Sequence, residues 1–399
     1  MEAPLIIFVL TYLVLAVGRV PGFRVDRTGA AIIGATAMIA FGVLTLQDAW
    51  LAIDFNTIAL LFGMMVVVAN LRFSGFFGLV SAWVVKHAHR PVVLLASIVF
   101  VSGFFSAFFV NDAVCLALTP IVLEVVSALG VNPIPYLLAL AMASNAGSVA
   151  TITGNPQNMM IASFSGIPYR QFLAALSPIA ALSLLLTIAT IWILYPSEFR
   201  NGKRFETKPP RVRLMRGVMW ESLLVALGII VALFLGYPPP VVALAGGTLL
   251  LFTRRLKPER IYAEIDWSLL ALFAGLFIVI AGVEKTPLFQ HLPQLTSRLG
   301  FDRVAVLSAV SAVLSNLVSN VPAVLVFRPF MAHLADPRRG WLALAMSSTL
   351  AGNLTVLGSV ANLIVLQRAR HKVKIGFWDY FRVGAPLAIV TIVIGILFL

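Results

Sequence analysis

Cysteine and acidic residues are scarce in this sequence, and the histidines do not form clusters. The cysteine and histidine patterns each exclude a kind of site. The single cysteine, Cys115, has no partner for an intrachain disulfide. The five histidines are scattered through loops and arms without the spacing of metal ligands. No phosphate-binding loop of the Walker type occurs, so ATP hydrolysis by this chain is not expected. We therefore expect neither an enzyme active site nor a bound cofactor or structural metal.

Apolar residues are abundant in a way that is typical of membrane proteins. Of the 399 residues, 60% are hydrophobic and 11% are charged, whereas soluble domains are about half apolar and about a quarter charged. The net charge of +13 comes largely from basic residues in short loops between apolar runs, as expected of cytoplasmic loops. We therefore predict a multi-pass protein of the bacterial inner (plasma) membrane that contacts the lipid bilayer and no nucleic acid.

Polar interruptions and apolar runs divide the chain into two halves. Residues 1–195 form the first predicted repeat, 196–217 a basic cytoplasmic linker, and 218–399 the second repeat. Each half has, in order, three spans, an interfacial arm, a hairpin, a broken helix and a last span. The single spans are predicted at 3–20, 29–46, 54–71, 172–195, 219–236, 239–253, 267–283 and 377–399. The hairpins are predicted at 91–129 and 304–333, and the broken helices at 133–165 and 341–366.

Matching residues support the repeat. Gly63 in the third span recurs 212 residues later as Gly275, and Asn111 in the first hairpin recurs 209 residues later as Asn320. Three residues of the first broken helix, Ser144, Gly154 and Asn158, recur 204 residues later as Ser348, Gly358 and Asn362. Matching Asn and Gly positions in the same order are much harder to obtain by chance than matching apolar residues.

The distribution of Lys and Arg predicts the orientation of the chain. If each half crosses the membrane five times and its hairpin is re-entrant, the two halves have opposite orientations, as an inverted repeat requires. With both termini outside, twenty-two basic residues fall inside and six outside. The predicted fold is therefore an all-α polytopic membrane protein with two inverted-topology repeats. Each repeat has about five transmembrane helices, a re-entrant hairpin and a broken helix.

The candidate binding site lies where the hairpins turn and the long helices break. Free N–H groups at helix starts suit an anion, and free carbonyls at helix ends suit a cation such as Na⁺. Small polar residues can also serve only to hold helices together, but their matching positions in two halves favour a binding site. The predicted site residues are Asn111, Asp112, Ser144, Asn145, Gly147, Thr153, Gly154, Asn155, Asn158, Ser319, Asn320, Ser348, Thr349, Gly352, Asn353, Gly358, Ser359 and Asn362.

Asp112 is the only acid at either predicted hairpin tip. An ionisable group within a membrane is costly and is therefore a functional candidate. It could coordinate a cation, carry a proton or pair with a base. Arg328 in the second hairpin could offset Asp112, attract an anionic substrate or extend to the surface. Asp54 and Asp266 precede helix starts and are predicted to be N-caps.

Two motifs carry a resemblance to a known group of transporters. Residues 109–113 (FVNDA) and 118–122 (LTPIV) are similar to the first hairpin of arsenite permeases. Residues 144–147 (SNAG) and 154–158 (GNPQN) are similar to the antiporter signature SN-x-G…G-D-P-P-N, from which the chain departs at Asn155 and Gln157. The chain thus resembles the ion transporter superfamily, with its arsenite permease, sodium/proton antiporter and anion permease (citrate-transporter-like) branches.

The resemblance implies a scaffold around the arms, a mobile unit that carries the hairpins, elevator-like alternating access and a homodimer. We predict a secondary active transporter of a small anion or oxyanion, coupled to Na⁺, to H⁺ or to the membrane potential. Arsenite or antimonite efflux and Na⁺/H⁺ antiport are the alternatives. A channel or a non-transporting receptor is the alternative from a different functional class.

Overall fold

The computed structural model describes residues 3–18, 25–199, 213–252, 255–287 and 291–399. Throughout these ranges the regular structure is helical, and seven helices are long and apolar enough to cross a membrane. The centre of the predicted linker, 200–212, lies outside the described residues, as do three more of the basic residues that the predicted topology places inside, Arg19, Arg24 and Arg254. The predicted all-helical fold class is confirmed.

Ten helices of the described chain form each half, in the same order. The first half contains α1 (Ala3–Val17), α2 (Arg27–Ala40), α3 (Leu46–Ala52), α4 (Phe55–Phe73), α5 (Phe76–His87), α6 (Pro91–Phe108), α7 (Asn111–Ala128), α8 (Pro133–Ser148), α9 (Pro156–Ser165) and α10 (Tyr169–Leu194). A short helix, α11 (Pro196–Phe199), follows. The second half contains α12 (Arg216–Leu235), α13 (Pro239–Leu251), α14 (Pro258–Tyr262), α15 (Trp267–Glu284), α16 (Leu292–Leu299), α17 (Val304–Val318), α18 (Asn320–Met331), α19 (Pro337–Ala351), α20 (Val360–Ala369) and α21 (Phe377–Phe398).

The two halves are packed together through equivalent pairs of helices. Helix α2 packs along α15, and its counterpart α13 packs along α4. A Cβ atom on Gly63 of α4 would lie 2.3 Å from the carbonyl oxygen of Ala243, and one on Gly275 of α15 would lie 2.8 Å from that of Ala31. Both crossings therefore require glycine so that the backbones can approach. The sequence match between Gly63 and Gly275 thus marks two equivalent crossings.

Two ion pairs connect the halves at equivalent places. Lys285 Nζ, at the end of α15, lies 2.8 Å from Asp48 Oδ2 in α3. Arg72, near the end of α4, pairs in the same way with Glu264, which follows α14. The hydrogen bond from Lys285 is the main reason why the pKa of Asp48 falls to about 2. Helices α4 and α15 are therefore each joined by an ion pair to the other half, at or directly after its short helix, α14 or α3.

The helix that replaces the predicted span at 29–46 is shorter than expected. Helix α2 ends at Ala40 because Gly42 adopts a left-handed φ of 70° and turns the chain. The separate helix α3 then begins with a capping box between Thr45 and Asp48. This short helix was not predicted, because its apolar residues continue the preceding apolar run in the sequence.

The two hairpins differ in length. Helices α6 and α7 have 18 residues each, close to the ~20 that a crossing needs, whereas α17 and α18 have 15 and 12. The helices of the second hairpin are therefore about as short as α2 and α13, which have 14 and 13 residues. That both hairpins are re-entrant stays a prediction.

Candidate functional site

The two hairpins turn at equivalent residues. Helix α7 begins at Asn111 and α18 begins at Asn320, directly after each turn. Ser319, which precedes α18, has a φ of 79° and is the one non-glycine residue with positive φ in the described ranges. Such a backbone conformation is costly for serine and is common at binding sites. Both hairpins therefore present the N-terminal end of a helix at their tips.

The two long helices break in the same way. A single 3₁₀ turn separates the two helical parts in each half, at Ile152–Gly154 between α8 and α9 and at Val356–Gly358 between α19 and α20. Asn158 Nδ2 donates to the carbonyls ten and seven residues before it, at 3.0 and 2.9 Å. Asn362 Nδ2 donates to the carbonyls ten and seven residues before it, at 2.7 and 3.1 Å. The two asparagines thus close equivalent breaks.

Glycine is required where each break folds back on the preceding helix. A Cβ atom on Gly154 would lie 2.2 Å from the carbonyl oxygen of Ser148. A Cβ atom on Gly358 would lie 2.7 Å from Asn316 Oδ1 and 3.0 Å from the carbonyl oxygen of Gly352. Any larger residue would therefore push the break away from the helix before it.

Asn145 lies at the centre of the contact between the halves. Its Nδ2 donates to Asn353 Oδ1 at 2.9 Å and to Asn362 Oδ1 at 3.0 Å. Its Oδ1 accepts from Asn111 Nδ2 at 3.1 Å and from Ser359 Oγ at 2.9 Å. Because an amide offers two donors and two acceptor positions, the side chain is fully bonded. Asn145 therefore fixes the first hairpin tip and both breaks relative to one another.

The second half makes an equivalent contact with the first half. Thr349, the counterpart of Asn145, accepts at Oγ1 from Asn155 Nδ2 at 3.3 Å and from Gln157 Nε2 at 3.1 Å. Asn155 and Ser359 are the N-caps of α9 and α20. The N-cap of each broken helix thus contacts the other half.

Each hairpin tip is also bonded to the broken helix of its own half. In the first half, Ser144 Oγ donates to the carbonyl oxygen of Asn111 at 3.2 Å. In the second half, the Asn320 side chain, with its amide oriented to satisfy both of its polar atoms, donates to the carbonyls of Ser348 at 3.2 Å and Gly358 at 3.1 Å. The hairpin tips and the breaks therefore form one continuous polar cluster.

A cavity of ≈ 90 Å³ lies beside this cluster, where four helices begin. The starts of α7, α9, α18 and α20 all contribute to its wall. Each helix start carries a partial positive charge. The wall residues from these four helix starts are Asn111, Asp112, Pro156, Gln157, Ser319, Asn320, Val321, Pro322, Ser359 and Val360.

The remaining wall comes from helices that carry neither a hairpin nor a break. These wall residues are Leu15, Arg27, Leu269 and Leu272. Two of the wall residues were not predicted for the site: Arg27 is one of the basic residues placed inside by the predicted topology, and Gln157 belongs to the GNPQN motif. The signal for Arg27 was its position directly before an apolar run, which is the position of a first helical residue.

The predicted site residues lie in three places in the structure. Five of them, Asn111, Asp112, Ser319, Asn320 and Ser359, line the cavity. Most of the others lie behind it in the breaks or in the contact between the halves, namely Ser144, Asn145, Thr153, Gly154, Asn155, Asn158, Ser348, Thr349, Gly352, Asn353, Gly358 and Asn362. Gly147 lies apart, because a Cβ atom there would lie 2.1 Å from the carbonyl oxygen of Gly103, where α8 crosses α6.

The charged residues have distinct surroundings. Asp112 lines the cavity beside the start of α20, where the backbone N–H of Ala361 donates to Ser359 Oγ at 3.2 Å. Arg328 does not contribute to the cavity wall, and its guanidinium lies 4.3 Å from the ring centroid of Phe164. In the described chain no group of three His, Cys, Asp or Glu residues could hold a metal ion. Asp54 and Asp266 are N-caps of α4 and α15, which confirms that prediction.

Comparison with known proteins places the chain among transporters. The CitMHS (citrate transporter) family model matches residues 11–351. An uncharacterized transporter of Mycobacterium tuberculosis is 31% identical, over 98% of this chain and 96% of its own. The silicon efflux transporter of Oryza sativa subsp. japonica is 30% identical, over 94% of this chain and 93% of its own. The putative transporter arsB of Dictyostelium discoideum is 24% identical, over 93% and 87%.

A solved structure has the same fold. The crystal structure of the Alcanivorax borkumensis YdaH transporter, described as having an unusual topology, aligns with a TM-score of 0.65 over 99% of this chain and 96% of its own. The sequence identity is 15%, so this likeness concerns the fold alone.

Proposed function

Because this chain belongs to the CitMHS citrate transporter family, we propose that it is a secondary active transporter that carries a small anion through the cavity at the four helix starts. The family match and the relatives confirm the resemblance to the ion transporter superfamily and identify the chain as a multi-pass membrane transporter. The convergence of four helix starts on one cavity is the observation that carries the choice of an anion.

The electrostatics of the cavity support an anionic substrate. Four helix starts direct the positive ends of their dipoles toward the same space. Helix starts are well suited to bind anionic oxygens, and discontinuous helices use them in transporters. Arg27 adds a full positive charge to the same wall. Asp112 is the one carboxylate in the wall, and it lies in the first turn of α7, where the positive end of the helix dipole offsets part of its charge.

The size of the cavity favours a small solute. A cavity of ≈ 90 Å³ is large enough for several water molecules and therefore for a small solute. A tetrahedral oxyanion such as sulfate or phosphate is of this size, whereas citrate is larger. We therefore expect small oxyanions to be carried better than citrate.

A second candidate is a hydroxylated oxyacid that carries little or no charge. Asn111 Oδ1 is buried and has no hydrogen-bond partner in the described part of the chain. Asn111 and Asp112 thus bring acceptor oxygens to a wall that otherwise presents donors. A solute with O–H groups would satisfy them. The relatives named for silicon efflux and as arsB favour this class, which includes arsenite and antimonite.

The proposed transport cycle uses the division of the helices into two groups. Helices α6–α10 and α17–α21 hold the hairpins and breaks and form the mobile transport unit. Helices α1–α5 and α12–α16 form the scaffold. In this proposal the transport unit moves like an elevator, with Na⁺, H⁺ or the membrane potential as the driving force. The inner-membrane location, the outside termini and the homodimer are further parts of the proposal, and Na⁺/H⁺ antiport through Asp112 is its remaining alternative.

Flux in proteoliposomes tests the proposal. Purified protein is reconstituted, and uptake of sulfate, phosphate, succinate, citrate, arsenite and silicic acid is measured under imposed Na⁺ gradients, pH gradients and membrane potentials. We expect saturable uptake of a small oxyanion or oxyacid that exceeds uptake of citrate and requires at least one gradient.

Protein-free liposomes give the leak rate for each solute. Absence of flux above that rate for every solute and gradient would contradict a transport function. Flux of silicic acid and arsenite near neutral pH, without flux of sulfate or phosphate, would select the uncharged oxyacid. Na⁺ flux driven by a pH gradient alone would select antiport.

A further inference from the structure

The cavity is closed on one side by scaffold residues that a moving transport unit would leave behind. Arg27 is the first residue of α2, and Leu269 and Leu272 lie in the first two turns of α15. Leu15 lies near the end of α1. The starts of α2 and α15 are held together by a hydrogen bond from Thr28 Oγ1 to the carbonyl oxygen of Ser268, 3.2 Å long.

These scaffold residues lie at one face of the predicted topology. With the termini outside, the end of α1 and the starts of α2 and α15 are all cytoplasmic. Tyr12 of α1 donates through its hydroxyl to the carbonyl oxygen of Pro322, beside the second hairpin tip, at 3.0 Å. With that topology, the transport unit rests against the cytoplasmic part of the scaffold, which is the inward-facing position of the proposed cycle.

Arg27 is the one charged residue among the scaffold residues of the wall. It is half-buried. Among the described residues, no carboxylate lies within 4.0 Å of the Arg27 guanidinium. Asp112 lines the same cavity but does not form an ion pair with Arg27. A partly buried positive charge loses part of its hydration, and a paired anion would offset that cost. An anionic solute in the cavity would supply the missing charge.

We propose that Arg27 is a specificity-determining residue that binds an anionic oxygen of the substrate only while the transport unit is at its cytoplasmic position. This inference rests on the proposed function. The residues of the hairpins and breaks travel with the solute and bind it in both positions, whereas Arg27 stays with α2. A contact that exists in one state and not in the other makes the affinities of the two states differ.

The consequence is a difference between the two faces of the membrane. Loss of Arg27 weakens binding from the cytoplasmic face and leaves binding from the outer face nearly unchanged. A solute without charge gains little from a guanidinium, so its transport depends less on Arg27. The same substitution therefore distinguishes anions from uncharged oxyacids.

The test compares Arg27→Gln and Arg27→Lys with the unmodified protein. Transport of sulfate, phosphate and silicic acid is measured in right-side-out and in everted membrane vesicles, and KM is determined from each face. For Arg27→Gln we expect the KM of the transported anion to rise about tenfold or more from the cytoplasmic face. From the outer face we expect a change of less than about twofold. Arg27→Lys should restore most of the loss, because the charge remains.

Arg90→Gln is the matched control, since Arg90 is an exposed basic residue before α6 and does not line the cavity. Detergent-solubilised variants must elute as the unmodified protein does, which separates misfolding from weakened binding. Equal changes of KM from both faces, or no change from either, would overturn the role of Arg27. Transport of silicic acid alone, unaffected by Arg27→Gln, would overturn it as well. If the unmodified protein carries none of the three probes, the proposed anion and oxyacid function itself fails.

Discussion

Asn145 of the first half donates a hydrogen bond through Nδ2 to Asn362 Oδ1 of the second half, at 3.0 Å. Asn362 in turn closes the second break by donating to two backbone carbonyls. A single amide contact therefore connects the first broken helix to the closed conformation of the second. The two halves are coupled at the place where the solute is expected to bind.

Replacing Asn145 with alanine should destabilise this centre strongly. Four polar groups, one on the first hairpin tip and three in or beside the second break, would lose their partner. Interhelical hydrogen bonds in a membrane protein average about 0.6 kcal/mol and reach about 1.7 kcal/mol, so the expected loss of stability is about 2–7 kcal/mol. We expect a lower melting temperature in detergent and loss of transport in proteoliposomes.

Asn70→Ala is a control for the loss of a buried amide. Asn70 is also buried, but its Nδ2 donates only to the carbonyl of Val66 in its own helix, at 2.8 Å. Its replacement should cost less than about 1 kcal/mol. Equal losses for the two variants would contradict a connecting role for Asn145.

Gly154→Ala should disturb the first break. The new Cβ atom would lie 2.2 Å from the carbonyl oxygen of Ser148, a backbone atom that no side-chain rotation can move. We expect reduced thermal stability and reduced transport. Gly228→Ala in α12 is the control, because nothing lies within 4 Å of its Cβ position. That variant should be about 0.5–1 kcal/mol more stable through helix propensity, and equal behaviour of the two would argue against a constrained break.

The positions of the breaks and hairpin tips could be predicted because the local sequence is unusual for a membrane. Gly, Asn and Pro interrupt apolar runs, which lipid would not tolerate if they were exposed. The constant sequence offset between the halves also predicted that the two breaks are equivalent. In the structure, Asn158 and Asn362 make the same pair of backbone contacts. Local composition and repetition thus specify where the backbone departs from helix.

The identity of the cavity wall could not be predicted in the same way. Arg27 lines the cavity because α2 packs along α15 of the other half, a long-range contact with no local signal. Conversely, Gly147 lies in the SNAG motif but packs against Gly103 of α6, away from the cavity. Sequence patterns show that a residue is constrained, and tertiary packing decides whether a solute or a helix imposes the constraint.

Asp112→Asn should alter coupling while preserving the fold. The amide has nearly the same shape as the carboxylate, but it removes the one negative charge of the cavity wall. We expect transport of the accepted solute to lose its dependence on pH or on Na⁺, measured as initial rates under each gradient. Asp54→Asn is the matched control, because Asp54 caps α4 without lining the cavity. Unchanged coupling in Asp112→Asn would remove Asp112 from the coupling mechanism.

Thiol labelling should show the predicted orientation of the two repeats. In a Cys115→Ala background, Tyr237→Cys lies between α12 and α13, and Lys257→Cys precedes α14. Both positions are exposed. We expect a membrane-impermeant maleimide to label intact cells at 237 but not at 257, and to label both after lysis. Labelling of 257 in intact cells would contradict the outside placement of the termini.

Reversible crosslinking should distinguish an elevator from a fixed pathway. Phe164 of α9, in the proposed transport unit, and Phe277 of α15, in the scaffold, have ring centroids 6.1 Å apart. In a Cys115→Ala background, a reducible bifunctional thiol reagent that joins Phe164→Cys to Phe277→Cys should stop transport, and reduction should restore it. The matched pair Asp48→Cys and Lys285→Cys lies wholly within the scaffold, where the native side chains approach to 2.8 Å. Crosslinking that pair should leave transport unchanged, because the two helices do not move relative to each other in an elevator. Full transport by the crosslinked Phe164–Phe277 pair would show that the two groups of helices need not separate, and it would favour a channel-like pathway.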